Sequence, residues 1–146
     1  MCLDLKRTIN RPSRVLTARR DYTVYKLLRE AEATTIFRTP FQRERYDRNT
    51  TKTVPSFSTN VVGVGHVEFT DAIPERSYSI HKGLHAYQSR TEAIARGKSG
   101  GYLVVECIIP KGTKYIRGSW DIVSLSLKVG KAVGRSKAAR AFNGKK

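Results

Sequence analysis

The chain has 146 residues, 39% of them hydrophobic and 9% aromatic, which is enough apolar material for one globular core and too much for an unfolded polycation. Its 28 basic and 12 acidic residues leave a net charge of +16, which points first to nucleic acid as a partner and second to an acidic protein or anionic surface. The longest apolar runs, 102–105 and 107–110, are far too short to span a bilayer, so no membrane is expected among the partners.

In chain order, residues 1–20 come first as a basic arm, with Lys6, Arg7, Arg11, Arg14, Arg19 and Arg20 against Asp4 alone. Residues 22–28 (YTVYKLL) alternate apolar and polar side chains and predict a first strand, with 29–33 as a short helical turn. Residues 38–60 are polar, Thr-rich and interrupted by Pro40 and Pro55, which predicts a long loop with at most a short helix. Residues 61–69 (VVGVGHVEF) predict a strand. Its glycines do not form a dinucleotide fingerprint, because Glu68 takes the third glycine position and no helix start follows.

Short strands are expected at 77–80 and 84–87, on either side of Gly83. Residues 89–97 predict a small helix. Ser89 is its N-cap, Glu92 completes a capping box and Gly97 stops it. Strands at 102–109, 114–117 and 122–129 follow from their β-branched and aromatic content, divided by turns at Pro110-Lys111-Gly112 and Gly118-Ser119. The Pro110–Thr113 turn is expected to join two antiparallel strands. After Gly130 the composition becomes rich in Ala, Lys and Arg, with a helix proposed over 136–142. The expected architecture is α+β: a single compact domain over 21–129, mostly antiparallel β with one or two short helices. Basic arms at 1–20 and 130–146 flank it.

The second arm, with the end of the last strand, carries Lys128, Lys131, Arg135, Lys137, Arg140, Lys145 and Lys146 against no acid. Twelve of the sixteen net charges thus lie in the two ends, and residues 21–127 keep only +4. Arginine offers bidentate phosphate contacts and each neutralised phosphate releases counterions. No zinc-finger spacing, ribonucleoprotein aromatic signature or basic zipper is visible, so contacts through the arms should favour backbone over sequence. Solvated tails are the plainer reading of the same charges.

Other groups carry weaker signals. Cys2 and Cys107 make no disulfide framework and suit a reducing cytosol. The N-terminal stretch lacks the apolar core of a secretory signal, while its basic, Ser/Thr-bearing character leaves a mitochondrial presequence open. His66, His81 and His85 show no metal spacing with either cysteine, so no metal is expected. Ser89 reads as a helix cap rather than a nucleophile. Glu106 is either the solvent-side residue of a half-buried strand or a reactive carboxylate, and His85 either a satisfied strand histidine or a catalytic group.

Three segments taken together, YKLL (25–28), GLHAY (83–87) with its capped helix, and VVECIIPKGTKY (104–115), resemble the ADP-ribosyltransferase-like fold over about residues 22–129. The resemblance places the catalytic glutamate of that family at Glu106, followed by Ile108, Ile109, Pro110, Gly112 and Thr113 of its motif. It puts the first-strand anchor at or next to Lys26, where the family has His or Arg, and the middle position at His85, where the family has Tyr or Ser. Such a site would cleave the nicotinamide–ribose bond of NAD, with a carboxylate stabilising the oxocarbenium-like state. The Met-Cys-Leu start and the Ile-Pro-Lys-Gly-Thr-x-Tyr turn are also similar to small proteins of bacteriophages and their hosts. The leading expectation is a basic binding protein, without a cofactor, in host cytoplasm or a virion. Its arms would contact nucleic acid, a nucleoprotein assembly, or an acidic host or virion protein. The alternatives are an active NAD-dependent transferase using Glu106, His85 and Lys26, and a virion structural or assembly component.

Overall fold

The computed structural model describes residues 3–4, 14–30, 36–38, 45–47, 49–96 and 103–135. In chain order these form β1 (Leu3–Asp4), β2 (Val15–Thr17), β3 (Tyr22–Glu30), β4 (Ile36–Arg38), β5 (Arg45–Asp47), β6 (Thr51–Thr53) and β7 (Phe57–Val61). They continue as β8 (Gly65–Phe69), β9 (Ser77–Lys82), β10 (Leu84–Tyr87) and the helix α1 (Arg90–Arg96). The last four are β11 (Leu103–Ile109), β12 (Lys114–Arg117), β13 (Asp121–Ser124) and β14 (Ser126–Arg135). The fold is therefore mostly antiparallel β with one short helix among the described residues. Two compact units divide it: one from Met1–Tyr22, Thr53–His85 and Ile109–Leu127, the other from Thr23–Lys52, Ala86–Ile108 and Lys128–Lys146.

In the first unit one sheet runs β1-β9-β7-β8. β7 and β8 form a hairpin in register Phe57↔Phe69 to Val61↔Gly65. Its turn holds Gly63 at φ 80° and Gly65 at φ 99°, a conformation that costs glycine little and a β-branched residue a great deal. A second run, β2-β12-β13, pairs Tyr115 with Leu16 on one side and with Ser124 on the other. The core gathers Phe57, Ile80, Ile116 and Val123, all fully buried, with Val15, Phe69, Ile73 and Leu125 packed on them. Each such side chain contributes about 1.5–3 kcal/mol on burial. Gly83, at φ 144°, is held to glycine twice over, because a Cβ there would run into the Val123 side chain and lie 3.2 Å from Phe57.

In the second unit β3 lies between the end of β10 and β11, β14 follows β11, and β4 pairs with β3 and β5. Its core gathers Leu27, Tyr87, Ala93 and Val104. Val24, Lys26 and Leu28 share one face of β3 and are buried, although Lys26 is a lysine, and Leu27 on the other face is buried as well. α1 starts where the capping residues place it: the Glu92 N–H donates to Ser89 Oγ at 3.1 Å. Gly97 lies outside the described residues.

Several expectations need correction. Residues 38–60 are not one loop. β4 ends there, and β5, β6 and the start of β7 fall within it. The 61–69 segment is not one strand, because the two positive-φ glycines turn the chain between β7 and β8. The helical turn expected from 29 is overridden at its start, since β3 runs on through Glu30; 31–33 lie outside the described residues. The 122–129 strand breaks at Leu125 into β13 and β14. The edge expected at Gly130 falls inside β14, and β2 lies inside the expected N-terminal arm. The helix proposed over 136–142 lies outside the described residues.

Candidate functional site

The pairing of β2 with β12 does not stop at the strand ends. The Ala18 N–H donates to the Thr113 carbonyl and the Gly112 N–H donates to the Ala18 carbonyl, each at 2.8 Å. These bonds hold the 110–113 turn against the segment that leaves β2. The turn is closed by the Thr113 N–H on the Pro110 carbonyl at 3.1 Å, with Gly112 at φ 90°. It does not make β11 and β12 hairpin partners: β12 pairs with β2 and β13, and β11 with β14. Asp21 adds a further tie, its Oδ1 accepting from the Lys111 N–H at 2.8 Å. Between Ala18 and Tyr22 the chain bends into β3, leaving Arg19 and Arg20 exposed.

The result is an open cleft of about 710 Å³ lined by Leu16, Thr17, Ala18, Arg19, Tyr22, Lys111, Gly112 and Tyr115. No lining residue is acidic. The Tyr22 and Tyr115 rings meet edge to face, with centroids 5.6 Å apart and planes at 69°. The Arg20 guanidinium lies 5.7 Å from the Tyr22 centroid and that of Arg117 lies 5.9 Å from the Tyr115 centroid, both within cation–π range. Burial, and then the hydrogen bond and charge of the neighbouring Tyr22, push the Tyr115 phenol above its ordinary pKa, against the pull of Arg117 and Arg19. It therefore stays protonated at neutral pH. Lys114, on the same strand, pairs with Asp71 and by hydrogen bond and charge holds that carboxyl below its usual range. The chemistry available in the cleft is recognition of anions and flat rings.

The residues suggested by the transferase resemblance sit differently. Lys26 is only 6% exposed, and its charge acts on the fully buried Cys107. Burial pushes that thiol from 9.0 up to about 11. Lys26 and a backbone hydrogen bond from Gly130 pull it down, and Glu106 adds to the rise. Glu106 is half-buried on β11, at an irregular stretch of the β11–β14 ladder where Gly130 comes so close that a Cβ would meet the Glu106 carbonyl oxygen. Lys26 and Glu106 thus belong to the second unit, around Cys107. His85 is buried in the first unit, where its Nε2–H donates to the His81 carbonyl at 3.2 Å. His81 Nε2 in turn accepts from Asn60 Nδ2 at 3.3 Å, and His66 is exposed on β8.

Of the thirteen basic residues singled out in the ends, the structure brings Arg19 and Arg20 to the cleft and leaves Arg14 exposed just before β2. Lys128 and Lys131 are exposed on β14 in the second unit, and Arg135 ends that strand. Lys6, Arg7, Arg11, Lys137, Arg140, Lys145 and Lys146 lie outside the described residues. The sequence reading missed Tyr22, Lys111, Tyr115 and Arg117 as site residues. Their signal is the interleaving of basic and aromatic residues in ARRDY (18–22) and KGTKYIR (111–117).

Among the described residues no group of three or more His, Cys, Asp or Glu side chains could hold a metal ion, and no helix is long and apolar enough to cross a membrane. The chain matches no protein-family model, no curated protein and no solved structure.

Proposed function

We propose that this chain is a basic nucleic-acid-binding protein that works without a cofactor, similar to small phage proteins, acting in host cytoplasm or in a virion. The observation that carries this reading is the cleft where Arg19, Arg20, Lys111 and Arg117 gather around Tyr22 and Tyr115. Positive charge around an aromatic ring that solvent can reach, here Tyr22, is the composition of surfaces that hold a nucleic-acid backbone. The remaining charge of the ends adds long-range attraction that is independent of sequence. Retention of the full chain on DNA should therefore fall steeply between about 50 and 200 mM salt, as counterion release requires. A protein that flows through a DNA column at the lower salt contradicts the reading.

A second reading is favoured by one observation. The strands bearing Lys26 and Glu106, β3 and β11, are neighbours, and β3 also pairs with β10 at Tyr25↔Tyr87, just after the GLHA motif and before α1. This supports an ADP-ribosyltransferase-like core, and with it an NAD-dependent transferase with Glu106 as its carboxylate. The buried, charge-engaged state of Lys26 supports the inactive version of that core. We expect no labelling when the protein is incubated with labelled NAD and a host lysate. Robust labelling that Glu106→Gln removes, without change in stability, would make the chain an enzyme.

A further inference from the structure

A duplex exposes base edges in its grooves and hides the base faces in its stack. An aromatic side chain placed to stack therefore recognises unpaired bases, whereas an element placed to read a duplex must enter a groove. The only helix among the described residues, α1, has seven residues and belongs to the second unit, whereas Arg19 and Lys111 belong to the first. The cleft instead offers a ring. Tyr115, 5% exposed, braces Tyr22 at a fixed edge-to-face angle, and Tyr22 itself is only half-buried. One flat group, the Arg20 guanidinium, already lies over Tyr22. Cationic side chains line the same cleft from two segments of chain, Arg19 from the segment after β2 and Lys111 from the 110–113 turn. The two sides are fastened by the backbone bonds between Ala18, Gly112 and Thr113 and by Asp21 on the Lys111 N–H. The two sides are thus held together before a ligand arrives, and Arg20 alone has to move.

We infer that this cleft takes single-stranded nucleic acid, with one base stacked on Tyr22 and the flanking phosphates held by Arg19 and Lys111. Arg20, on the exposed bend, moves off the ring and stacks on the outer face of the base. The inference rests on the reading that the cleft binds nucleic acid. Because a π-face is common to all four bases, the site is tolerant of sequence.

The test uses the full chain and two fluorescent probes, an oligothymidylate of about twelve nucleotides and a duplex of about twelve base pairs, a length within one single-strand site. The single strand should bind more tightly. Tyr22→Leu should weaken single-strand binding by about 5- to 100-fold and duplex binding less than about 2-fold, while Tyr22→Phe keeps both, because it keeps the ring. In the unmutated chain, a strand carrying 5-iodouridine should photocrosslink to the peptide containing Tyr22, a readout that needs no variant to fold. Duplex bound as tightly as single strand, or crosslinks confined to other peptides, would overturn this inference while leaving nucleic-acid binding intact. Binding of neither probe at low salt overturns both.

Discussion

On β11 the Glu106 backbone is pressed against Gly130, and Cys107 beside it is fully buried under the charge of Lys26. A few residues further along the chain, Lys111 and Gly112 are exposed at the lip of the tyrosine cleft, and a Cβ on Gly112 would meet nothing within 4 Å. The first stretch carries the carboxylate that a family resemblance marks as reactive. The second reads from sequence as a plain turn. Burial and packing invert that ranking: the marked residue is half-buried with its backbone in a packed ladder, and the plain turn presents charge to solvent where a ligand can use it.

Two glycines separate the regions most sharply. Gly130→Val should have the largest effect, about 3 kcal/mol or more of lost stability in urea unfolding, because the new side chain collides with backbone that has nowhere to go. A loss below about 1 kcal/mol would mean the β11–β14 ladder is looser than described. Next in size is a pH effect at Cys107. Burial raises the folded thiol from 9.0 to about 11, so the folded state holds this proton more tightly than the unfolded chain. Its contribution is complete below pH 9 and is lost as the pH rises from there through about 11. That loss is on the order of 2–3 kcal/mol and should be missing from Cys107→Ala when the two stability profiles are compared. Identical slopes over that window would contradict a buried neutral thiol.

Gly112→Val should cost less, about 1–2 kcal/mol, because only the φ of 90° opposes it and no neighbour does. An unmoved melting temperature would show that the turn tolerates an ordinary residue. Smallest of all, Arg19→Ala should change stability by less than about 0.5 kcal/mol, since it is exposed and contributes through its charge. A larger loss would make Arg19 a structural residue and weaken its assignment to the ligand.

What the sequence reveals and what it hides follows from range. β3, β9, β10 and β12 are legible because alternation or β-branched content within a few residues defines them, and α1 because its cap is a local bond from Glu92 N–H to Ser89 Oγ. β4, β5 and β6 are hidden because three residues cannot display a period. They are strands only because partners hold them: β4 lies between β3 and β5, and β6 pairs with β14. The run VVGVG reads as a strand by hydropathy, yet Val62 and Val64 are 56% and 73% exposed on a turn fixed by two positive-φ glycines. Gly130 reads as a boundary and is instead a point of close approach to Glu106. The cleft was half legible. Arg19 and Arg20 stand out by charge, but their neighbours Lys111, Tyr115 and Arg117 reach them through the Leu16↔Tyr115 pairing, about a hundred residues apart in sequence and invisible to any local pattern.

If nucleic acid is held at this cleft rather than by diffuse charge alone, its binding depends on the cations of the cleft. The most direct measurement is the salt dependence of binding to one single-stranded oligonucleotide, for the full chain and for a triple variant, Arg19→Ala with Arg20→Ala and Lys111→Ala. If Arg19 and Lys111 each neutralise a phosphate while Arg20 stacks on the base, the slope of log K against log salt should become shallower by about 1.4 in the triple variant, with affinity falling at every salt concentration. An unchanged slope and affinity in a folded triple variant would contradict the account and place the contact elsewhere on the chain.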